Sequence, residues 1–222
     1  MSYSFDWSVL WRYREPLLGG FALTLALSIM SLLGALGVGV LAGASAESER
    51  RCARAIAAAY VEIARNVPLL VHLYVWYLGM TAVKLPAFWC GVLGLSLYSG
   101  AYVAEIVRSG LQAVPAGQRA AGLASGLSPR LVLRHIVYPQ ALRIVAPSLA
   151  GLFSQLIKDS SLASVISVAE LTFVAGAIEG DTFRTFEAYI GITVLYLIAV
   201  TAISGLTLRT LRSRIVEPAM RY

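Results

Sequence analysis

The sequence predicts an all-α integral membrane protein, and three observations support that fold class. Of the 222 residues, 58% are apolar and 14% are charged, whereas about 25% of the residues in a soluble domain are charged. Several uncharged runs are long enough for a helix to cross a bilayer, which takes about 20 mainly apolar residues. The 18 lysines and arginines outnumber the 12 acidic residues, and in a membrane protein this excess indicates cytoplasmic anchoring rather than nucleic-acid binding. A soluble enzyme is therefore excluded.

A single transmembrane domain, residues 1–222, is expected to contain about five spans, at approximately 17–46, 56–83, 87–108, 131–157 and 188–208. The first run is uncharged from Pro16 to Ala46. Because the apolar segment of a signal peptide has only about 7 to 15 residues, we expect this run to be the first span and not a signal peptide. Residues 109–130 are rich in proline, glycine and arginine and cannot form a span. The fourth uncharged run is short, because it ends at Lys158.

The distribution of lysine and arginine predicts the orientation, because short cytoplasmic loops carry the excess of these residues. Residues 47–54 carry three, residues 108–143 carry five and the chain after residue 208 carries four, against five on the opposite side. We therefore expect the N-terminus outside, the C-terminus in the cytoplasm and the two basic loops on the cytoplasmic side.

The central loop contains a motif with a defined spacing. The run Ala120 to Gly122 is followed, after three residues, by Gly126 and, after nine more, by Ile136 to Pro139. This spacing resembles the loop E-A-A, three residues, G, nine residues, I-x-L-P of permease subunits in ATP-binding-cassette importers. The chain departs from that pattern at three positions: Ala120 replaces Glu, Gly122 replaces the second Ala, and Tyr138 replaces Leu.

Other segments are similar to the polar amino-acid uptake family of these permeases. They are Leu95–Arg108, Val114–Gln118, Pro139–Arg143 and Lys158–Val165, and Arg65–Val71 resembles its Arg-Gly-Thr-Pro-Leu-Leu segment. The resemblance runs from about Gly20 to Arg214. It implies a type I importer permease in the bacterial cytoplasmic membrane that moves a polar amino acid. An opine, an ectoine-like compound or another amine solute is the alternative within the same family.

The resemblance also implies the partners and the coupling surface. A second permease subunit, identical or paralogous, would complete the path, and two copies of a cytoplasmic ATPase and an extracytoplasmic solute-binding protein would complete the importer. We expect a coupling helix between Pro115 and Pro129, whose small residues allow close approach to a partner. The residues expected to couple to the ATPase are Gly117, Gln118, Ala120, Ala121, Gly122, Gly126 and Pro139.

The chain itself is expected to be a transport subunit rather than an enzyme, with no catalytic residue, metal or cofactor. The phosphate-binding pattern G-x-x-x-x-G-K-[ST] is absent from the sequence, so ATP and Mg would bind to the partner ATPase. Alanine at position 120 leaves two explanations open. Either this subunit couples less tightly and a paralogous permease carries the acid, or alanine is tolerated because the backbone and Gly126 make most of the contacts.

Charged residues within spans are candidate functional residues, because burying a charge without a partner is costly. Lys158 and Asp159, with Ser160 and Ser161, offer charges and donors that complement the carboxylate and ammonium of an amino acid. The alternative is a structural ion pair that fixes the turn after the fourth span. Adjacent helical residues point about 100° apart, so joint contact with a ligand would require local unwinding.

Two acid–base pairs have a spacing of three residues, which places both members on one helix face. Glu62 and Arg65 are expected to form an intramolecular pair. Glu105 and Arg108 are expected to close the cytoplasmic end of the third span, with a gate as the alternative.

Two other classes of function remain to be compared with the importer. A stand-alone secondary transporter or channel would be expected to show internal repeats and its own ion site, and neither is evident in the sequence. An intramembrane enzyme would have to recruit Ser160, Ser161, Asp159 or His135, but no nucleophile and base are brought together by the predicted topology.

Overall fold

The computed structural model describes the backbone of residues 3–211 and the side chains of residues 3–205. This part of the chain is helical, with short links and no strand. Its helices are α1 (Ser8–Arg12), α2 (Arg14–Ala46), α3 (Arg51–Asn66), α4 (Leu69–Gly79), α5 (Ala87–Ala113), α6 (Ala116–Ala124), α7 (Pro129–Val132), α8 (Tyr138–Asp159), α9 (Leu171–Thr182) and α10 (Thr185–Leu211). A π-helical turn, Leu133–Val137, joins α7 to α8, and 3₁₀ segments occupy Thr81–Val83 and Ser160–Ile166.

Four helical segments of the described chain are long and apolar enough to cross a membrane. They are Arg14–Ala46, Ala87–Ala113, Pro129–Ile166 and Thr185–Gly205. The pair α3 and α4 makes a fifth when it is counted as one broken span. The protein is therefore an all-α integral membrane protein with four or five candidate spans.

The second expected span, 56–83, differs from the structure, because this stretch is divided between two helices. The axes of α3 and α4 are bent by 106° at a short break. Val67 is extended, with φ −95° and ψ 129°, as expected for a residue that precedes proline. Pro68 has no N–H to continue the hydrogen bonds of α3, so the chain starts a new helix in another direction.

The third expected span, 87–108, is longer in the structure, where α5 continues to Ala113. It ends where Val114 adopts an extended conformation before Pro115. Ala113 is thus the last helical residue before the segment that contains α6.

Helices α2 and α5 form the central pair of the fold, and small residues allow their close contact. A Cβ atom added to Gly39 would lie 2.4 Å from Cβ of Val103, and one added to Gly43 would lie 2.7 Å from the carbonyl oxygen of Ala104. Both positions therefore require glycine, as expected where membrane helices pack backbone to backbone.

The N-terminal segment is held against the junction of α9 and α10 by Glu187, whose side chain is fully buried. Glu187 accepts hydrogen bonds from the Tyr3 hydroxyl and from the Asp6 backbone N–H, the latter at 2.7 Å, and pairs with Arg184 at 3.6 Å. Asp6 is outside the spans, and hydrogen bonds from the Ser8 hydroxyl and N–H lower the pKa of its carboxyl group. These contacts fix the predicted outer end of the bundle.

Candidate functional site

Helix α6 is the short helix of the central loop, and both of its ends are defined by sequence. It begins directly after Pro115, the N-cap residue, and ends at Ala124. Gly126 has φ +81°, a left-handed conformation that favours glycine. The Leu127 N–H donates to the Gly122 carbonyl at 3.2 Å and the Gly126 N–H to the Leu123 carbonyl at 3.0 Å. This pair of bonds is a Schellman motif, which satisfies carbonyl groups that the helix end would leave unpaired.

The buried side of α6 depends on Gly122, the position at which the importer loop has alanine. A Cβ atom on Gly122 would lie 2.6 Å from Cδ1 of Ile136 and 2.9 Å from Cγ2 of Val132. The absence of a side chain therefore allows α6 to lie against α7 and the π-helical turn. Glycine in place of alanine at position 122 is therefore explained by the close packing of α6 against Val132 and Ile136.

Most of the remaining surface of α6 is available to a partner. Gly117, Gln118, Ala120 and Ala121 are all exposed, whereas Arg119 is partly buried and donates from Nη2 to the Leu111 carbonyl at 2.9 Å. This bond anchors α6 to the end of α5. The predicted coupling residues on α6 thus have two roles. Gly117, Gln118, Ala120 and Ala121 are exposed to a partner, whereas Gly122 allows the helix to pack and Gly126 ends it.

Pro139, the last residue of the motif, lies at the start of α8, next to the π-helical turn. A proline within a continuing helix lacks an N–H and its ring crowds the carbonyl four residues earlier. A π-helical turn widens the backbone and accommodates such an interruption. The motif therefore marks the junction between the central loop and the fourth span.

A row of polar side chains follows one side of α5. Tyr98, Tyr102 and Glu105 are separated by four and three residues, the spacing of neighbours on one helix face. The Tyr98 and Tyr102 hydroxyl groups are 3.1 Å apart, and Glu105 pairs with Arg108 at 3.1 Å. The predicted pair Glu105–Arg108 is formed. The two tyrosines were not predicted as site residues, although their spacing from Glu105 was visible in the sequence.

The pair predicted within α3, Glu62 with Arg65, is wrong, because Arg65 reaches across to α5. Its Nη1 lies 3.3 Å from Oε2 of Glu105, and its guanidinium lies 5.4 Å from the ring centre of Tyr102. Glu62 instead accepts a hydrogen bond from Asn66 at 3.1 Å. Arg65 and the polar row of α5 therefore form one cluster that joins the broken span to the third span.

Two cavities accompany this cluster. One, of about 460 Å³, extends from Arg54 to Arg108 between α2, α3 and α5. The other, of about 240 Å³, is lined by Val61, Glu62, Arg65, Asn66 and Tyr102. Their linings offer donors, acceptors and charges to a polar solute. Within residues 3–205, no group of three His, Cys, Asp or Glu side chains is placed to hold a metal ion.

Lys158 and Asp159 lie where α8 gives way to the 3₁₀ segment. Lys158 is exposed, and Asp159 accepts a hydrogen bond from Gln155 at 2.8 Å. No ion pair joins the two among the described side chains, so the structural pair considered as an alternative is not formed. Ser160 is buried and donates to the Ile157 carbonyl at 2.7 Å, whereas Ser161 is partly exposed.

Glu170 is a buried acid that the sequence analysis did not single out. Its carboxylate accepts hydrogen bonds from the Phe173 N–H at 2.9 Å and from the Tyr196 hydroxyl at 2.5 Å. It lies between the spans, and its burial raises the pKa of the carboxyl group. These contacts hold the start of α9 against α10.

A multi-pass helical bundle with an exposed, glycine-terminated helix in its central loop defines the class of protein, a membrane-spanning permease subunit. The chain belongs to the family of binding-protein-dependent transport system inner membrane components, which it matches over residues 35–222.

Curated relatives and solved structures agree with this assignment. The chain is 35% identical to the glutamine transport system permease protein GlnP of Escherichia coli K12, over 95% of this chain and 97% of the relative. It is 32% identical to a probable glutamine ABC transporter permease, GlnM, of Bacillus subtilis, with 89% and 92% covered. A crystal structure of an amino acid ABC transporter with histidines matches with a TM-score of 0.89 and 32% identity, covering 95% of this chain and all of that chain.

The function class follows from the family. The protein is a permease subunit of an ABC importer in the bacterial inner membrane. The inward-facing MetNI methionine transporter, at 20% identity and a TM-score of 0.80, shares the fold. The stand-alone transporter and the intramembrane enzyme are set aside, because members of this family work in binding-protein-dependent systems.

Proposed function

We propose that this permease subunit imports a polar amino acid, with glutamine as the first candidate. The observation that carries the proposal is the polar row of α5, Tyr98 to Glu105, to which Arg65 adds a cation from the broken span. A solute with an amide, an ammonium and a carboxylate finds complementary groups along this row. The glutamine permeases at 32% and 35% identity support this substrate class.

The path is proposed to continue at the end of α8. Lys158, Asp159, Ser160 and Ser161 are assigned to it, with Lys158 facing the carboxylate of the solute and Asp159 its ammonium. Both charged residues belong to the last turn of α8, and the chain changes from α-helix to 3₁₀ helix directly after them, at Ser160. The cluster of Arg65, Glu105 and Arg108 is proposed to act as the cytoplasmic gate.

The energy for transport is proposed to come from two copies of a separate ATPase that bind ATP and Mg. The exposed residues of α6, from Gly117 to Ala121, would enter a groove of the ATPase, while Gly122, Gly126 and Pro139 keep the helix in position. A second permease subunit, identical or paralogous, would close the path, and an extracytoplasmic solute-binding protein would deliver the substrate. The family description, a binding-protein-dependent system, supports these partners.

A second candidate substrate is an opine. The chain is 34% identical to the octopine permease OccM of Rhizobium radiobacter, over 87% of this chain and 84% of the relative. An ectoine-like compound or another amine solute would use the same groups. The amino acid is favoured because the other two relatives described above are named for glutamine.

The substrate is tested by competition for uptake. The complete importer in proteoliposomes should accumulate labelled glutamine, and unlabelled glutamine should compete better than octopine or ectoine. A Tyr102→Phe variant should reduce uptake, because it removes one hydroxyl of the polar row, whereas Tyr74→Phe, a matched change on the exposed side of α4, should not. Uptake that only octopine suppresses would reject the amino acid as the substrate.

A further inference from the structure

Two cavities on the surface of the bundle share Ala44, Leu111 and Tyr138 in their linings. One, of about 690 Å³, lies beside α6 at the ends of α2 and α5. The other, of about 320 Å³, lies between α2, α5 and α8. Because three residues are common to both, we treat the two as a single composite cavity.

The smaller part is an apolar groove within the spans. Apart from the Tyr138 hydroxyl, its lining side chains are hydrocarbon, from Val40, Ala44, Val107, Leu111, Ala141, Leu142 and Val145. Val40 is 45% exposed and Leu142 is 61% exposed, so the groove is open along the bundle surface. An apolar groove that is open along membrane-spanning helices suits an acyl chain, because its hydrocarbon lining offers the chain contacts of the same kind as the bilayer core.

The larger part has both signs of charge. Glu47, Glu49, Arg119 and Arg130 all line it, and neither acid forms an ion pair with either arginine in the described structure. Glu47 accepts a hydrogen bond from the side-chain amide of Gln112 at 2.8 Å. Arg119 uses Nη2 on the Leu111 carbonyl, which fixes the guanidinium and leaves its other N–H groups free for a ligand. Separated cations and anions in one cavity complement a ligand that carries both charges.

We propose that the composite cavity binds one aminophospholipid from the cytoplasmic leaflet. The phosphate lies toward Arg119 and Arg130, because the planar guanidinium fits phosphate oxygens. The ammonium lies toward Glu47 and Glu49, and one acyl chain occupies the groove. The two acids disfavour a lipid whose headgroup is only anionic, and the groove disfavours a free zwitterion that has no chain.

Native mass spectrometry of the purified importer provides the test, with phosphatidylethanolamine, phosphatidylglycerol and phosphatidylcholine of identical acyl chains. Phosphatidylethanolamine should bind most tightly, because its ammonium can donate hydrogen bonds and that of choline cannot. Arg130→Gln should weaken its binding about tenfold, the effect of one charge-assisted hydrogen bond. Arg134→Gln, an exposed arginine outside the cavity, should leave binding unchanged.

Two further variants separate the parts of the site. Glu49→Gln should reduce the preference for phosphatidylethanolamine over phosphatidylglycerol, and Leu142→Gln should weaken binding of all three lipids. Equal binding of the three lipids by the unmodified importer, or an equal loss with Arg134→Gln and Arg130→Gln, would overturn the proposal. Free phosphoethanolamine binding as tightly as the lipid would also overturn it, because the site would then serve a soluble ligand.

Discussion

Single residues determine how α6 is presented, and Gly126 is the clearest case. Its φ of +81° lies in the left-handed region, which residues with a Cβ atom rarely adopt. Its N–H donates one of the two hydrogen bonds that end the helix. Gly117, on the same helix, has no heavy atom within 4 Å of an added Cβ and no positive φ. Substitution of these two glycines should therefore have different effects on stability, and the two alanine variants can be compared directly.

Gly126→Ala should destabilise the end of α6 by about 1 to 2 kcal/mol, the cost of a left-handed conformation for a residue with a side chain. The exposed substitution Gly117→Ala should be neutral or slightly stabilising, because alanine favours helix. Thermal unfolding of the purified importer measures both effects. Equal losses in the two variants would show that the conformation of Gly126 is not the cause.

Glu105 is the acid at which Arg65 and Arg108 converge, at 3.3 Å and 3.1 Å. Glu105→Gln should cost about 1 kcal/mol of stability, since these pairs are partly exposed, and should change the rate of transport if the cluster is a gate. Glu62→Gln is the matched control, because Glu62 pairs with neither arginine in the described structure. A larger effect of the Glu62 variant on unfolding and transport would contradict the observed pairing.

Among the helices, α6 is the short helix of the central loop that connects the third and fourth spans. Its start was predictable, because a proline acts locally and α6 begins directly after Pro115. Its end at Ala124 lies before the expected boundary at Pro129, because the left-handed Gly126 ends the helix first. The partner of Arg65 was not predictable from spacing, because it depends on how α3 crosses α5. The break at Pro68 was visible as a Val-Pro step, but the 106° between α3 and α4 depends on tertiary packing against α5.

The exposed position of Ala120 on α6 leads to a prediction about coupling. Ala120→Glu should increase the transport-coupled ATPase rate severalfold, because a restored acid can pair with a basic groove and a partly exposed pair contributes about 1 kcal/mol. Ala124→Glu, at the exposed end of the same helix, is the control. An unchanged rate in the Ala120 variant would support the alternative that the backbone and Gly126 make the main contacts.

At the scale of the whole molecule, the predicted orientation places two loops and the C-terminus in the cytoplasm. The presence of several spans was predictable because a bilayer selects long uncharged runs, although the break in the second span was not predicted. Their expected orientation follows from the distribution of lysine and arginine. The described structure adds the means to test this assignment. Cys52 is exposed at the start of α3, on the predicted cytoplasmic side, whereas Cys90 is buried in α5.

A membrane-impermeant maleimide should therefore label Cys52 in inside-out vesicles and leave the protein unlabelled in right-side-out vesicles. Cys52→Ser should abolish the labelling, because Cys90 has no exposed surface. Labelling of Cys52 in right-side-out vesicles would reverse the predicted orientation and place α6 on the outer side, away from the ATPase.

The central claim is that this chain forms the path and a separate ATPase supplies the energy through α6. The most direct measurement is uptake of labelled glutamine by proteoliposomes that contain the complete importer, with ATP enclosed or omitted. We expect accumulation above the external concentration only with ATP inside, and we expect Gly126→Ala to reduce it because this change disturbs α6. Equal accumulation without ATP, or by the permease subunit alone, would contradict it.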